Sequence, residues 1–204
     1  MRIAGLIFAA LVMVAARAAA DAPAPDAPAN AAPAGPKVLI STDMGDIVLQ
    51  LDAAHAPATV ANFLRYAKEG HYDGTIVYRV VPGFVIQAGS WEPDLRTRPV
   101  HAPIPLEAGL PNLRGTVAMA RGDAPASATA EFFINLADNP ALDRQADDTT
   151  GGTGYAVFGQ VVTGMDTADK IAAVPLGDHG PFAGAAPVTP IVIAHVTVLP
   201  EAAP

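Results

Sequence analysis

Two polar residues interrupt an otherwise apolar stretch, YRVVPGFVIQAG from Tyr78 to Gly89: Arg79 and Gln87. A guanidinium is a permanently charged donor that stabilises a lone pair or a developing charge without exchanging a proton near neutral pH. Val, Ile, Tyr and Phe on both sides of Pro82-Gly83 predict a strand, a sharp turn and a second strand. Side chains two apart on a strand share a face, so Val77, Arg79 and Val81 point one way and Val85 and Gln87 share a face on the next run. Folding at Pro82-Gly83 lets Arg79 and Gln87 meet. Taken alone, such a pair is more often a structural hydrogen bond or a surface charge than a site. The same parity groups Glu131 with Phe133, and Phe132 with Ile134.

Other chemistries find little support. The five histidines are scattered, none at the i, i+4 spacing of a zinc helix, and no H-E-x-x-H or G-x-S-x-G occurs. His195 reads as a structural histidine inside a late strand. Gly152-Thr153-Gly154 lacks the third glycine of a dinucleotide loop. Asp147 and Asp148, beside Thr149, Thr150 and glycines, read as a solvated loop rather than a metal pair. Neither a metal nor a cofactor is expected.

The elements that must position Arg79 and Gln87 are mostly short strands. VLIST (38–42) and DIVLQL (46–51) flank Met44-Gly45 and predict a hairpin, and IVYRVV, GFVIQA, GTVAMA, EFFIN, YAVFGQVV and IVIAHVTVL supply further strands. Residues 57–69 predict a helix with Val60, Phe63, Leu64 and Ala67 on one face, Pro near its start and Gly70 just past its end. A second helix is expected over 166–173, with Ala168, Ile171 and Ala172 together and Pro175 beyond. Frequent turns favour an antiparallel sheet or barrel over βαβ units.

Four ordered stretches carry a family resemblance: YRVVPGFVIQAG (78–89), RGTVAMAR (114–121), EFFINLADNPALD (131–143) and YAVFGQVVTGMDTADKI (155–171), with APATVANFL (56–64) as a first helix. The chain resembles the cyclophilins, peptidyl-prolyl cis-trans isomerases, from about Val38 to Leu199, and is most similar to the periplasmic isomerases of Gram-negative bacteria. The resemblance implies a mainly β fold, a closed eight-stranded antiparallel barrel capped by two α-helices, with a groove outside the barrel. It implies Arg79 as the catalytic arginine and Gln87 as its partner. Phe84, Met119, Phe133 and Leu142 fall at positions that hold the proline ring, with Val85 in place of a more usual methionine. Ala120, Arg121 and Gly122 match a backbone segment that pairs with the substrate peptide.

Three positions depart from the family pattern. Glu131 replaces a glutamine, and its carboxylate is expected to pair with Arg79 or Arg121. Ala141 stands where many members carry a tryptophan that helps to bind cyclosporin, so weak binding of that drug is expected. Tyr155 replaces a histidine of many eukaryotic relatives. The loop 144–154 reads as longer than usual, a mobile flap beside the groove.

The chain has 204 residues, enough for one domain with a real core. Arg2, the apolar run Ile3 to Ala16 and the small residues Ala18 to Ala20 predict a signal peptide over 1–20, export to the periplasm, and no membrane insertion once it is cleaved. Residues 21–36 alternate Ala and Pro and read as a disordered linker. The domain is expected over 37–200, with a tail over 201–204. No cysteine is present, so neither disulfides nor a lipid at a cysteine is available. A net charge of -8 makes nucleic acid and anionic membranes poor partners, and removal of Arg2 and Arg17 with the signal makes the chain more acidic still. Expected partners are proline-containing unfolded or exported polypeptides, met by a monomer. The alternative reading is a non-catalytic proline-binding module or holdase on the same barrel.

Overall fold

The computed structural model describes residues 35–145 and 152–200. The expected signal peptide (1–20), most of the expected linker, the middle of the 144–154 loop and the tail lie outside the described residues. Along the chain run β1 (Lys37–Thr42), β2 (Gly45–Leu51), α1 (Pro57–Lys68), β3 (Val77–Val81), β4 (Val85–Ala88), β5 (Thr116–Met119), β6 (Phe132–Asn135), a 3-10 turn (Pro140–Leu142), β7 (Ala156–Thr163), α2 (Met165–Ala172), β8 (Leu176–Gly177), β9 (Ala186–Pro187) and β10 (Ile193–Val198).

Alternation drives the strands. Val38 and Ile40 of β1, with Ile47, Leu49 and Leu51 of β2, are buried on one side of the first hairpin. Gly45 closes its turn with φ 127°, a conformation that other residues reach only with strain. The Thr42 hydroxyl donates to the Gly45 carbonyl at 2.7 Å.

The helix α1 lacks a side-chain cap of its own, and a distant carboxylate supplies one. Glu107 accepts from the Ala58 and Thr59 amides at 3.1 and 2.8 Å and from the Thr59 hydroxyl at 2.8 Å. Those amides would otherwise be unpaired, and a negative charge complements the helix dipole there. Inward, α1 presents Val60, Phe63 and Ala67 as expected, with Thr59, Asn62 and Tyr66 also buried. Phe63 sits among Tyr72, Phe132 and Phe158 at ring distances of 5.1, 5.4 and 5.2 Å, the aromatic centre of the interior. Ala168 and Ile171 of α2 are buried in the same core.

The main sheet has eight strands in the order β10-β1-β2-β7-β5-β6-β4-β3, each antiparallel to its neighbours. The closed barrel expected from the resemblance is corrected here: the ladder is open between β10 and β3. Those edges meet only at the Ile76–Val192 bridge and through hydrogen bonds such as Ile193 N to Thr75 O (2.8 Å) and Val77 N to Ile191 O (2.9 Å). Beyond Val77 the edge of β3 is already occupied, because Val80 N donates to Ala185 O at 2.7 Å just before β9. A continuous β3–β10 ladder has no free partners there.

A second correction concerns β3. Strict alternation groups Val77 with Arg79, but the register slips between them: Val77 opposes Ala88 and Arg79 opposes Gln87. Val77 therefore joins the interior, while Tyr78 is buried against Trp91 and Phe182 at ring distances of 5.9 and 4.6 Å. An extra residue in one strand re-aims the side chains that follow, which is how bulges shape sites.

Candidate active site

Arg79 and Gln87 lie directly opposite one another on β3 and β4, and the Arg79 guanidinium donates from Nη1 to Gln87 Oε1 at 3.1 Å. Both are half-buried. The bond uses one of five guanidinium N–H groups. Gln87 in turn opposes Phe133 on β6. The polar pair is thereby set beside an apolar surface.

That surface is a second hydrophobic cluster, separate from the interior. Val85, Ala118, Phe133 and Val157 are its buried floor, with Phe84, Leu110, Ala120, Leu142 and Tyr155 packed against it and partly exposed. The floor takes one residue each from β4, β5, β6 and β7, alternating with neighbours that point into the interior, so one sheet face makes the interior and the other makes the floor of this cup. Of the residues expected to hold a proline ring, Phe84, Val85, Phe133 and Leu142 are brought together. Met119 is not: it is 1% exposed and packs in the interior cluster. Parity explains the correction, since Met119 shares a face with Val117, and Ala118 takes the outer side.

At the rim, Arg121 stacks over Tyr155, its guanidinium 4.9 Å from the ring centroid, and Tyr155 meets Phe133 edge-on at 5.5 Å. Arg121 also donates to Gly154 O at 2.8 Å, Thr153 Oγ1 at 2.5 Å and Gly122 O at 2.9 Å. Gly122 is exposed. The Ala120 amide is bonded to the Glu131 carbonyl at 2.8 Å. A peptide pairing at Ala120 would have to use its carbonyl.

Glu131 takes a different place from the one its type suggested. It pairs with neither Arg79 nor Arg121; Oε1 accepts from the Ser90 amide at 2.9 Å, and Oε2 is buried without a hydrogen bond among the described residues. The carboxylate lies over Gly89, where any side chain would collide with it. Burial pushes the Glu131 carboxyl above its ordinary range, partly offset by Tyr78 and Ser90. Burial, and then the charge of Glu131, push the Tyr78 phenol up as well. Tyr78, next to Arg79, is a site neighbour that sequence reasoning missed, and the bulge that turns it outward leaves no alternation signal.

Comparison with known proteins places this geometry. Residues 37–198 match the model of the cyclophilin type peptidyl-prolyl cis-trans isomerase/CLD family. Among curated relatives, peptidyl-prolyl cis-trans isomerase A of Dickeya dadantii is 46% identical over 164 residues, covering 79% of this chain and 84% of that protein. Peptidyl-prolyl cis-trans isomerase B of Escherichia coli is 47% identical over 163 residues, covering 79% of this chain and 98% of that protein. A crystal structure of a Cryptosporidium parvum cyclophilin type isomerase, obtained in the presence of the dipeptide Ala-Pro, superposes with a TM-score of 0.66 at 23% identity, covering 81% of this chain and 99% of that one. With an arginine–glutamine pair beside an apolar cup on the outside of an eight-stranded antiparallel sheet, and with these relatives, the chain belongs to the cyclophilin-type peptidyl-prolyl cis-trans isomerase family.

Proposed function

We propose that the protein accelerates rotation about X-Pro peptide bonds in exported polypeptides as they fold in the periplasm, with Arg79 as its electrostatic catalyst. The observation that carries this reading is the Arg79–Gln87 hydrogen bond of 3.1 Å at the edge of the cup. Conjugation with the carbonyl flattens an X-Pro amide and gives it a barrier of about 18–20 kcal/mol. In the twisted state the nitrogen becomes pyramidal and its lone pair becomes a better acceptor. A guanidinium aimed at that nitrogen favours the twisted state over both planar ones, which is differential binding of the transition state.

One charge-assisted hydrogen bond contributes roughly 1.5–3 kcal/mol, whereas an acceleration of ~10⁵ needs about 7. The rest falls to the cup. Its floor, Val85 and Phe133, excludes water that stabilises the planar amide, while its walls, Phe84 and Leu142, grip the ring in planar and twisted states alike as the carbonyl side turns. No proton moves and no covalent bond forms, so the rate is expected to be nearly flat between about pH 6 and 9, where arginine stays charged. The periplasmic setting is supported by the apolar, Ala-ended segment at residues 1–20.

The test is cis-to-trans conversion of a short X-Pro peptide by the wild type and by Arg79→Ala, with circular dichroism to show that both fold. A fall of about a hundredfold, or about 2.7 kcal/mol, is expected in the variant. A wild type that binds proline peptides without accelerating their rotation would make the protein a binding module instead.

A further inference from the structure

Beneath the cup lie three buried asparagines that contact neither Arg79 nor Gln87 in any hydrogen bond described above: Asn112, Asn135 and Asn139, 1%, 0% and 7% exposed. Their amides form one string. Asn139 Nδ2 donates to the Phe84 carbonyl at 3.0 Å and to Asn135 Oδ1 at 2.8 Å. Asn135 Nδ2 donates to Asn112 Oδ1 at 3.2 Å and to Thr116 Oγ1 at 2.8 Å. Asn112 Nδ2 donates to the Leu142 carbonyl and to Asp143 Oδ1, both at 3.0 Å. Backbone bonds reinforce it, with Asn139 N to Asn112 O at 2.8 Å and Leu142 N to Asn139 O at 2.9 Å.

The two ends of this string are walls of the cup. Phe84 stands in the β3–β4 turn and Leu142 in the 3-10 turn, outside the strands, where single backbone bonds, Leu136 N to Phe84 O at 2.8 Å and Tyr155 N to Leu142 O at 3.0 Å, hold them besides the asparagines. Asn135, in the middle, ends β6 and lies opposite Val85. It therefore also registers the strand that carries Phe133. Apolar contact is non-directional and cannot fix the spacing of such walls. A buried amide network has one satisfied geometry, and each broken bond leaves a costly unpaired group.

We infer that Asn112, Asn135 and Asn139 are positioning residues that set the separation of Phe84 and Leu142 and hence the fit of the proline ring. The inference rests on the isomerase reading for its substrate. The ring is gripped in planar and twisted states alike, so loosening the walls weakens both equally and is read as a rise in KM with kcat kept.

The decisive variant is Asn139→Asp, which keeps the size of the side chain and removes both donors. KM for an Ala-Pro peptide, and its Kd measured separately, should rise about tenfold while kcat stays within about twofold. Val38→Ala, in β1 on the other half of the sheet, serves as a control that lowers Tm without touching the cup. Should Asn139→Asp fail to fold, Asn112→Ala, which releases Leu142 but not Phe84, is read in the same way. If the folded variant loses Tm as the control does yet keeps KM and Kd within about twofold, or loses kcat alone, the string is merely structural and the inference falls. Where the wild type binds the peptide without catalysis, the isomerase reading fails separately, and the change in Kd still decides whether the asparagines shape the pocket.

Discussion

The two faces of one sheet are stabilised by different means. Inside, Val38, Leu49, Phe63, Val117 and Phe158 are all fully buried, closed over by α1 and α2. Outside, the cup keeps Phe84, Leu142 and Tyr155 partly exposed, as the proposed proline-binding role requires. Dense packing fixes side chains from every direction in the interior, whereas the cup has, among the described residues, a floor but no lid. Directional bonds take over there: Arg79 to Gln87, Arg121 to Gly154, and the asparagine string. The contrast separates residues that hold the molecule together from residues that hold the site in shape.

Substitutions on the two faces should therefore fail in different assays. The largest effect is expected from Phe63→Ala, which empties the aromatic centre: stability should drop by about 3–5 kcal/mol in denaturant titrations, with kcat/KM per folded molecule unchanged. Next comes Arg79→Ala, with its roughly hundredfold loss of rate and a Tm close to wild type. A large Tm loss in Arg79→Ala, or a large rate loss in folded Phe63→Ala, would break the division. The asparagine variants fall between, moving KM and Tm together.

Glu131→Gln should have the smallest effect and the opposite sign. Because burial raises the carboxyl's pKa in the folded state, the folded protein binds that proton more tightly than the unfolded chain does. Stability attached to this group is therefore fully present below the ordinary carboxylate pKa and is lost as pH rises through the elevated folded value. Glutamine carries no such penalty. Thermal melts should show the variant more stable than wild type at pH 7–8 and the advantage shrinking towards pH 4; an equal difference at both would mean that the carboxyl titrates normally.

Much of this was legible from residue order. The helices stand within about a residue of the periodicity and the Pro and Gly signals that predict them, since amphipathic helices reveal themselves locally. Opposition of Arg79 and Gln87 followed from parity and one turn. The failures share a cause, which is information held at long range. The bulge at Tyr78 is braced by Trp91 and Phe182, the latter far along the chain, and the placement of Glu131 depends on the space left at Gly89. The open seam depends on which segment reaches the edge of β3 first. Met119 is different, because alternation with Val117 already pointed inward. Two of the asparagines and the acceptor Asp143 also left a trace, Asn135, Asn139 and Asp143 at four-residue intervals, but outside a helix that spacing has no meaning until the turns are seen.

The pairing of β1 with β10 has a mechanical consequence. Val38 opposes Val198, and Leu199 N reaches Lys37 O at 2.8 Å, so the domain's two ends leave from one corner of the sheet. In antiparallel strands held at the same end, tension loads the rungs one after another rather than all at once. A pull applied through the ends would open this domain like a zip, starting at the β1–β10 corner, at forces well below those needed to shear strands past each other.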